Sequence, residues 1–341
     1  MQPLAYGLNM HIRPANLTFL LCSLLASLQA LAARPEATEK HEAATCIVPA
    51  KPGGGMDLTC KLAQQAQQTQ HANTSQPMQI NYLPGGVGAI AWTTIITQRK
   101  AEANTLVAYS GGSLLNLAEG KFGKSDASHV RWVAAIGTDY GMIAVRKDSP
   151  YKNLRELMDA IKSKPANIAI GAGGTVGSQD WLKMAQVGKQ VGIDPKSMRL
   201  VAFEGGGESF TALLADHVQA VSGDASEASL HARDDKIRVL AVLSDARLPG
   251  PLANVPTARE QGFDVTWPII RGVYMGPQVS DRDYQKWVEH FQQAMNTPAF
   301  DEQRKIHGLF PFAMTGKELT EYIQKAVNNY RLQAKEFGMV R

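Results

Sequence analysis

The chain has 341 residues, 44% hydrophobic and 19% charged, with 35 Lys and Arg against 31 Asp and Glu for a formal net charge of +4. That is enough apolar material for substantial cores, at a length that favours two domains. A charge surplus this small, with Lys and Arg scattered rather than clustered, excludes a nucleic-acid partner.

Residues 1–33 read as an export signal. Arg13 supplies the positive charge, Leu17 to Leu31 forms a largely apolar run, and Ala30-Leu31-Ala32 is a small-x-small cleavage site. The run is shorter than the ~18 to 20 residues of a spanning helix, and Ser23, Ser27 and Gln29 weaken it further. Cleavage near Ala32 or Ala33 removes Cys22 and leaves an exported, soluble, periplasmic protein. In that oxidising compartment the even pair Cys46 and Cys60 predicts a disulfide, two separate buried thiols being the alternative. No His stands at ligand spacing from either cysteine, so no metal site is expected.

From Cys46 onward, strands and helices alternate. Ile47 and Val48 lead into Pro49-Ala-Lys-Pro-Gly-Gly-Gly55, after which Leu58, Leu62, Ala63 and Ala66 recur at helical spacing, with Asp57 placed as an N-cap. Four more strand ends open into Gly-rich loops: Pro84-Gly-Gly-Val-Gly-Ala89, Ser110-Gly-Gly-Ser113, Gly171-Ala-Gly-Gly-Thr-Val-Gly-Ser178 and Glu204-Gly-Gly-Gly-Glu208. In open α/β sheets ligands sit outside the carboxyl ends of strands, so the five loops predict one shared crevice. Asn153 to Glu156 reads as a capping box, opening a helix that buries Leu154, Leu157, Met158 and Ile161. After Trp267-Pro-Ile-Ile-Arg-Gly272 two amphipathic helices close the chain, capped at Ser280 and Thr315.

The loops offer hydrogen-bond donors suited to carboxylate oxygens. Candidate donors are the amides of Gly53, Gly54, Gly55, Gly86 and Gly207, the hydroxyls of Ser110, Ser113, Thr175 and Ser178, and the Gln179 side chain. Lys51 and Arg271 are the two loop cations placed to meet an anion, with ion pairs to Glu204, Glu208 or Asp224 as their structural alternative. Glu204 and Asp224 complete the candidate set. Several catalytic motifs fail. Ala118 stands where a phosphate loop around Gly123-Lys-Ser125 needs Gly, no G-x-G-x-x-G follows a strand, and no G-x-S-x-G elbow occurs. Neither an enzyme nor a cofactor is indicated, although a hydrolase using the same crevice is a second reading.

The motifs Ile47-Val-Pro-Ala-Lys-Pro-Gly-Gly-Gly-Met-Asp57, Pro84-Gly-Gly-Val-Gly-Ala89 and Val255-Pro-Thr-Ala-Arg-Glu-Gln-Gly262, with the export signal and the two terminal helices, resemble the solute receptors of tripartite tricarboxylate transporters, the Bug-type receptors. The resemblance implies a two-lobed α/β periplasmic-binding-protein fold of the type II, flytrap kind, with two crossovers at Asp139–Val145 and Leu243–Gln261. Lobe 1 would comprise 34–142 and 262–341, and lobe 2 would comprise 143–261. It further implies a monomer that captures a carboxylate for membrane permease subunits, or presents it to a membrane sensor. Lys51, Trp267-Pro-Ile-Ile-Arg-Gly272 and Glu204-Gly-Gly-Gly-Glu208 resemble the tricarboxylate branch. A citrate-like tricarboxylate is therefore the first expectation and a C4-dicarboxylate the second.

Overall fold

The structure, a computed structural model, describes residues 43–70 and 76–340; the export signal and its cleavage site lie outside the described residues. Strand β1 (Thr45–Val48) is buried apart from its first residue and pairs in parallel with both β2 (Gln79–Tyr82) and β3 (Thr105–Ser110). Helix α1 (Gly55–Gln70) returns over this sheet on Leu58, Leu62, Ala63 and Ala66, all buried. Cys46 and Cys60 are disulfide-bonded with a Cα–Cα distance of 5.6 Å, so β1 and the first turns of α1 are tied behind the glycine loop. Asp57 lies within the first turn rather than at the N-cap. From there it accepts hydrogen bonds from the Gly53 amide (2.8 Å), Lys61 (2.9 Å) and the Tyr82 hydroxyl (2.9 Å), joining the loop to the end of β2.

The organising strand is β4 (Arg131–Arg146), 16 residues long. Its first ten residues run antiparallel to β9 (Pro268–Met275), which also pairs with β3. From Gly141 it pairs instead with β7 (Ala220–Asp224) and β8 (Ile237–Leu243). Beyond β7 lie β5 (Ala169–Gly173) and β6 (Arg199–Phe203), both parallel. One ladder thus runs β2-β1-β3-β9-β4-β7-β5-β6, and a short β10 (Met314–Thr315) is added to β4. It has two parallel ends meeting at an antiparallel centre, and β4 belongs to both halves. A parallel pair needs a long crossover, and helices supply it: α1 and α2 (Ala89–Thr97) between β1, β2 and β3, and α5 (Gln179–Gln190) and α6 (Gly206–Leu214) between β5, β6 and β7. Helices α3 (Gly111–Ala118), α4 (Leu154–Ser163) and α7 (Ala225–Ala232) follow β3, β4 and β7.

Apolar spacing sets which helix faces are covered. In α4, Leu154, Leu157, Met158 and Ile161 are buried with Trp181, Leu240 and Phe263 in the core of the second half. In the first half Val48, Leu62, Leu106 and Ala134 pack with Phe291. The closing region holds α8 (Asp281–Met295), α9 (Pro298–Ile306) and α10 (Gly316–Glu336), one helix more than the sequence pattern indicated. Ser280 caps α8 by accepting from the Asp283 amide at 3.1 Å, whereas Thr315 precedes α10 without a side-chain cap. No helix among the described residues is long and apolar enough to cross a membrane.

Candidate functional site

Five helices start where strands end, and their N-termini converge. Gly54 and Gly55 open α1, Ser110 and Gly112 open α3, and Ser178 and Gln179 open α5; Gly205 and Gly206 open α6, and Asp224 opens α7. All of these line one cavity of about 90 Å³. Every one of the five Gly-rich loops contributes, the second through Val87. Val87 has a left-handed φ of 56°, a costly conformation for a β-branched residue, and its carbonyl accepts from Asn116 Nδ2 at 3.0 Å. The halves touch around this space. Gly207 lies against Pro52 and Gly53, and Lys51 Nζ reaches Glu208 Oε1 at 2.5 Å.

Beneath the glycine loops is a buried ionic network that sequence reasoning missed, except for Arg271 and Asp224. The Arg271 guanidinium pairs with Asp139 at 3.0 Å and with Asp224. Lys183, fully buried, pairs with Asp180 at 2.7 Å and Asp224 at 2.8 Å, and donates to the Gly223 carbonyl at 2.6 Å. Asp139 also accepts from the Ser226 hydroxyl (2.6 Å) and amide (3.1 Å). Glu227 accepts from the Gly55 amide at 2.7 Å, and Asp180 from the Gly173 amide at 2.8 Å. Two signals for this network stood in the chain. Asp224-Ala-Ser-Glu227 has capping-box spacing, and Lys183 interrupts the apolar Trp181-Leu-Lys-Met-Ala185.

The candidate residues separate by position. Gly54, Gly55, Ser110, Ser113, Ser178 and Gln179 line the cavity, as do Glu204, Asp224 and Arg271. Lys51, Gly53 and Thr175 are exposed outside that lining, Gly86 sits one residue from Val87, and Gly207 lies in the contact between the halves. Both cations adopt their structural alternative, since Lys51 is held by Glu208 and Arg271 by Asp224 and Asp139. A second cavity, of about 470 Å³, lies beside Tyr140 and Trp267 and against α10. Among the described residues that line it none is charged, and α3 contributes only Leu114, its fourth residue, so the smaller cavity is the better anion site.

A family model described as the tripartite tricarboxylate transporter family receptor matches residues 62–339. The chain belongs to that family. It is 24% identical to a UPF0065 protein of Bordetella pertussis over 294 residues, covering 86% of this chain and 88% of the relative. MatC of Rhodopseudomonas palustris, solved with bound malate, superposes with a TM-score of 0.72 at 20% identity, over 85% of this chain and 97% of MatC. Rpa4515 of R. palustris, solved with adipate, gives 0.78 at 17% identity, over 88% and 98%. These similarities carry the two-lobed periplasmic-binding-protein fold. As a member of this family the chain is a solute-binding receptor, and the family places it in the periplasm.

In this receptor the network distributes charge unevenly. Burial works against ionisation of Asp224, yet Lys183 and Arg271 together hold its carboxyl below the usual range. Burial raises Asp139 and Asp180 in spite of their cation partners. Burial, with repulsion from Asp224 and Asp180, pushes Glu227 up to about 8, so this acid is largely protonated at neutral pH. Helix N-termini, hydroxyls and a neutral carboxyl can all donate to an anion. No group of metal-ligating side chains occurs among the described residues.

Proposed function

We propose that the receptor captures a small carboxylate in the crevice between its halves and delivers it to membrane permease subunits of a tripartite tricarboxylate transporter. The observation that carries this reading is the convergence of five helix N-termini on one cavity. Each terminus brings a partial positive charge, and the amides not taken by Ser110, Ser178, Asp224 or Glu227 remain for a guest, so together they form an anion site without a free cation. The residues assigned to the solute site are Gly54, Gly55, Ser110, Ser113, Ser178 and Gln179, the Gly55 amide being already held by Glu227. Lys51, Gly53, Gly86, Thr175 and Gly207 shape or close the mouth. The lobes in this reading are 34–142 with 262–341, and 143–261, the protein acting as a monomer that binds its solute and returns it unchanged.

A dicarboxylate ranks ahead of a citrate-like tricarboxylate. The case for a third carboxylate rested on Lys51 and Arg271, and each already has acidic partners. A third negative charge in a partly dry cleft would lack a cation of its own. Malate in MatC and adipate in Rpa4515 support the dicarboxylate class. Thermal unfolding with malate, adipate, succinate and citrate tests the reading, because a solute at 100 times its Kd adds about 2.7 kcal/mol. Stabilisation by citrate alone would restore the tricarboxylate, and no stabilisation by any of the four would sink the carboxylate reading.

A further inference from the structure

One side chain in the cavity wall already makes the contact that a solute carboxylate would make. Glu227, at the third position of α7, is 3% exposed, and its Oε1 accepts from the Gly55 amide at 2.7 Å. That amide belongs to the first residue of α1, on the opposite half of the molecule. A carboxylate at a helix N-terminus is the arrangement by which such a helix holds an anion. Glu227 thus stands in the solute's place on α1. Two glycines are shaped around this contact: a Cβ on Gly206 would overlap the Glu227 carboxyl, and a Cβ on Gly55 would overlap the Arg271 guanidinium.

We propose that Glu227 is a specificity-determining residue of the solute site, whose carboxyl group holds α1 across the crevice and must carry a proton when a solute carboxylate enters beside it. The inference rests on the carboxylate reading above. Asp224 at the start of its own helix and Asp180 from α5 repel a charge on Glu227, and Arg271 from β9 attracts it. Lys183 of α5 and Asp139 of β4 are the next members of that ionic network, and Glu204, on the loop before α6, lines the same cavity. Each of the two cations is already shared between two carboxylates. An ionised Glu227 therefore has no cation of its own, and a solute carboxylate beside it adds like charge in a water-poor space. Proton uptake from solvent removes the conflict, and the protonated oxygen can then donate to the solute. The elevated titration range of the free protein agrees with this, since the proton is present near neutrality and must be supplied above about 8.

Titration calorimetry with malate, adipate and citrate, between about pH 7 and pH 9 and in two buffers of different ionisation enthalpy, tests the inference. The wild-type Kd is expected to rise toward tenfold per pH unit above about 8, with close to one proton taken up per solute at the upper end. Glu227→Gln, which keeps the shape and cannot ionise, should flatten that dependence and abolish the uptake. Solute binding without proton uptake by the wild type overturns this inference alone, as does a variant that keeps the wild-type pH profile. Affinity that improves with rising pH also overturns it, because Glu227 would then be meeting a cationic group. If none of the three solutes binds either protein at any pH, the carboxylate reading fails and takes this inference with it.

Discussion

Arg271 is 1% exposed and lies between Asp139 and Asp224, so its charge serves the core before any guest. Removing it leaves two buried carboxylates uncompensated. Arg271→Met should cost about 3–5 kcal/mol of stability, read as a lower urea midpoint. Lys51 forms its ion pair at the exposed rim, and Lys51→Met should leave the midpoint within experimental error. Glu227 gives the pH dependence its sign. Its folded pKa, about 8, lies above the unfolded value for a glutamate, so between those two values the folded protein holds the extra proton and loses stability as pH rises. Glu227→Gln escapes that loss. Its urea midpoint relative to wild type should therefore climb from about pH 5 to pH 8, and a constant difference would show that the acid titrates normally in the fold.

The unit formed by β1, the first glycine loop and α1 is closed behind by the Cys46–Cys60 bond and held in front by Asp57 and Glu227. Replacing both cysteines by Ser should cost about 3 kcal/mol, the scale for a loop of this length, and denaturant unfolding with and without reductant checks it. The start of α6 approaches this unit so closely that a Cβ on Gly207 would lie 2.6 Å from the Pro52 carbonyl oxygen and 3.0 Å from the Gly53 carbonyl carbon. Both are backbone atoms with little freedom to move aside. Gly207→Ala should hold the halves apart and weaken solute binding by tenfold or more, leaving α6 itself formed. Calorimetry that found wild-type affinity in this variant would mean that the contact does not matter for capture.

At the scale of the molecule, β4 passes from one half of the ladder to the other at Gly141, and α10 reaches across as well. Phe337, just beyond α10, meets Trp181 of α5 edge-on with ring centroids 5.9 Å apart, and Glu336 pairs with Lys189 at 2.6 Å. Contacts across the crevice include Gly207 on Pro52 and Gly53, Lys51 with Glu208, Glu227 with Gly55, Gly174 near Val87, Gly112 near Gln179, and the Arg271 network below. Glycine, backbone, polar and charged groups make most of these contacts, outside the apolar clusters of the two halves, so they can part while both cores stay intact. A solute held by both halves favours the shut form through its differential contacts. Small-angle scattering should therefore show a smaller radius with saturating malate or adipate than without, and an unchanged radius for a solute that binds would count against closure.

Local chemistry alone placed the strand ends, the five glycine loops, the capped helices at Asn153 and Ser280 and the pairing of Cys46 with Cys60, because each depends on neighbours in the chain or on spacing with a fixed period. The meeting of those loops was also legible, since strand ends in an α/β sheet share an edge. The fate of the charges was not. Lys51 and Arg271 looked alike as cations in loops, and only the fold put Glu208 opposite one and Asp139 with Asp224 around the other. These partners lie far off in sequence, Asp139 being 132 residues from Arg271 and Glu227 172 residues from Gly55. Whether a charge is free to hold a solute or is already neutralised depends on distances of a few ångströms between such segments. Tertiary packing decided that, and the ranking of a dicarboxylate ahead of a tricarboxylate in the proposed function rests on it.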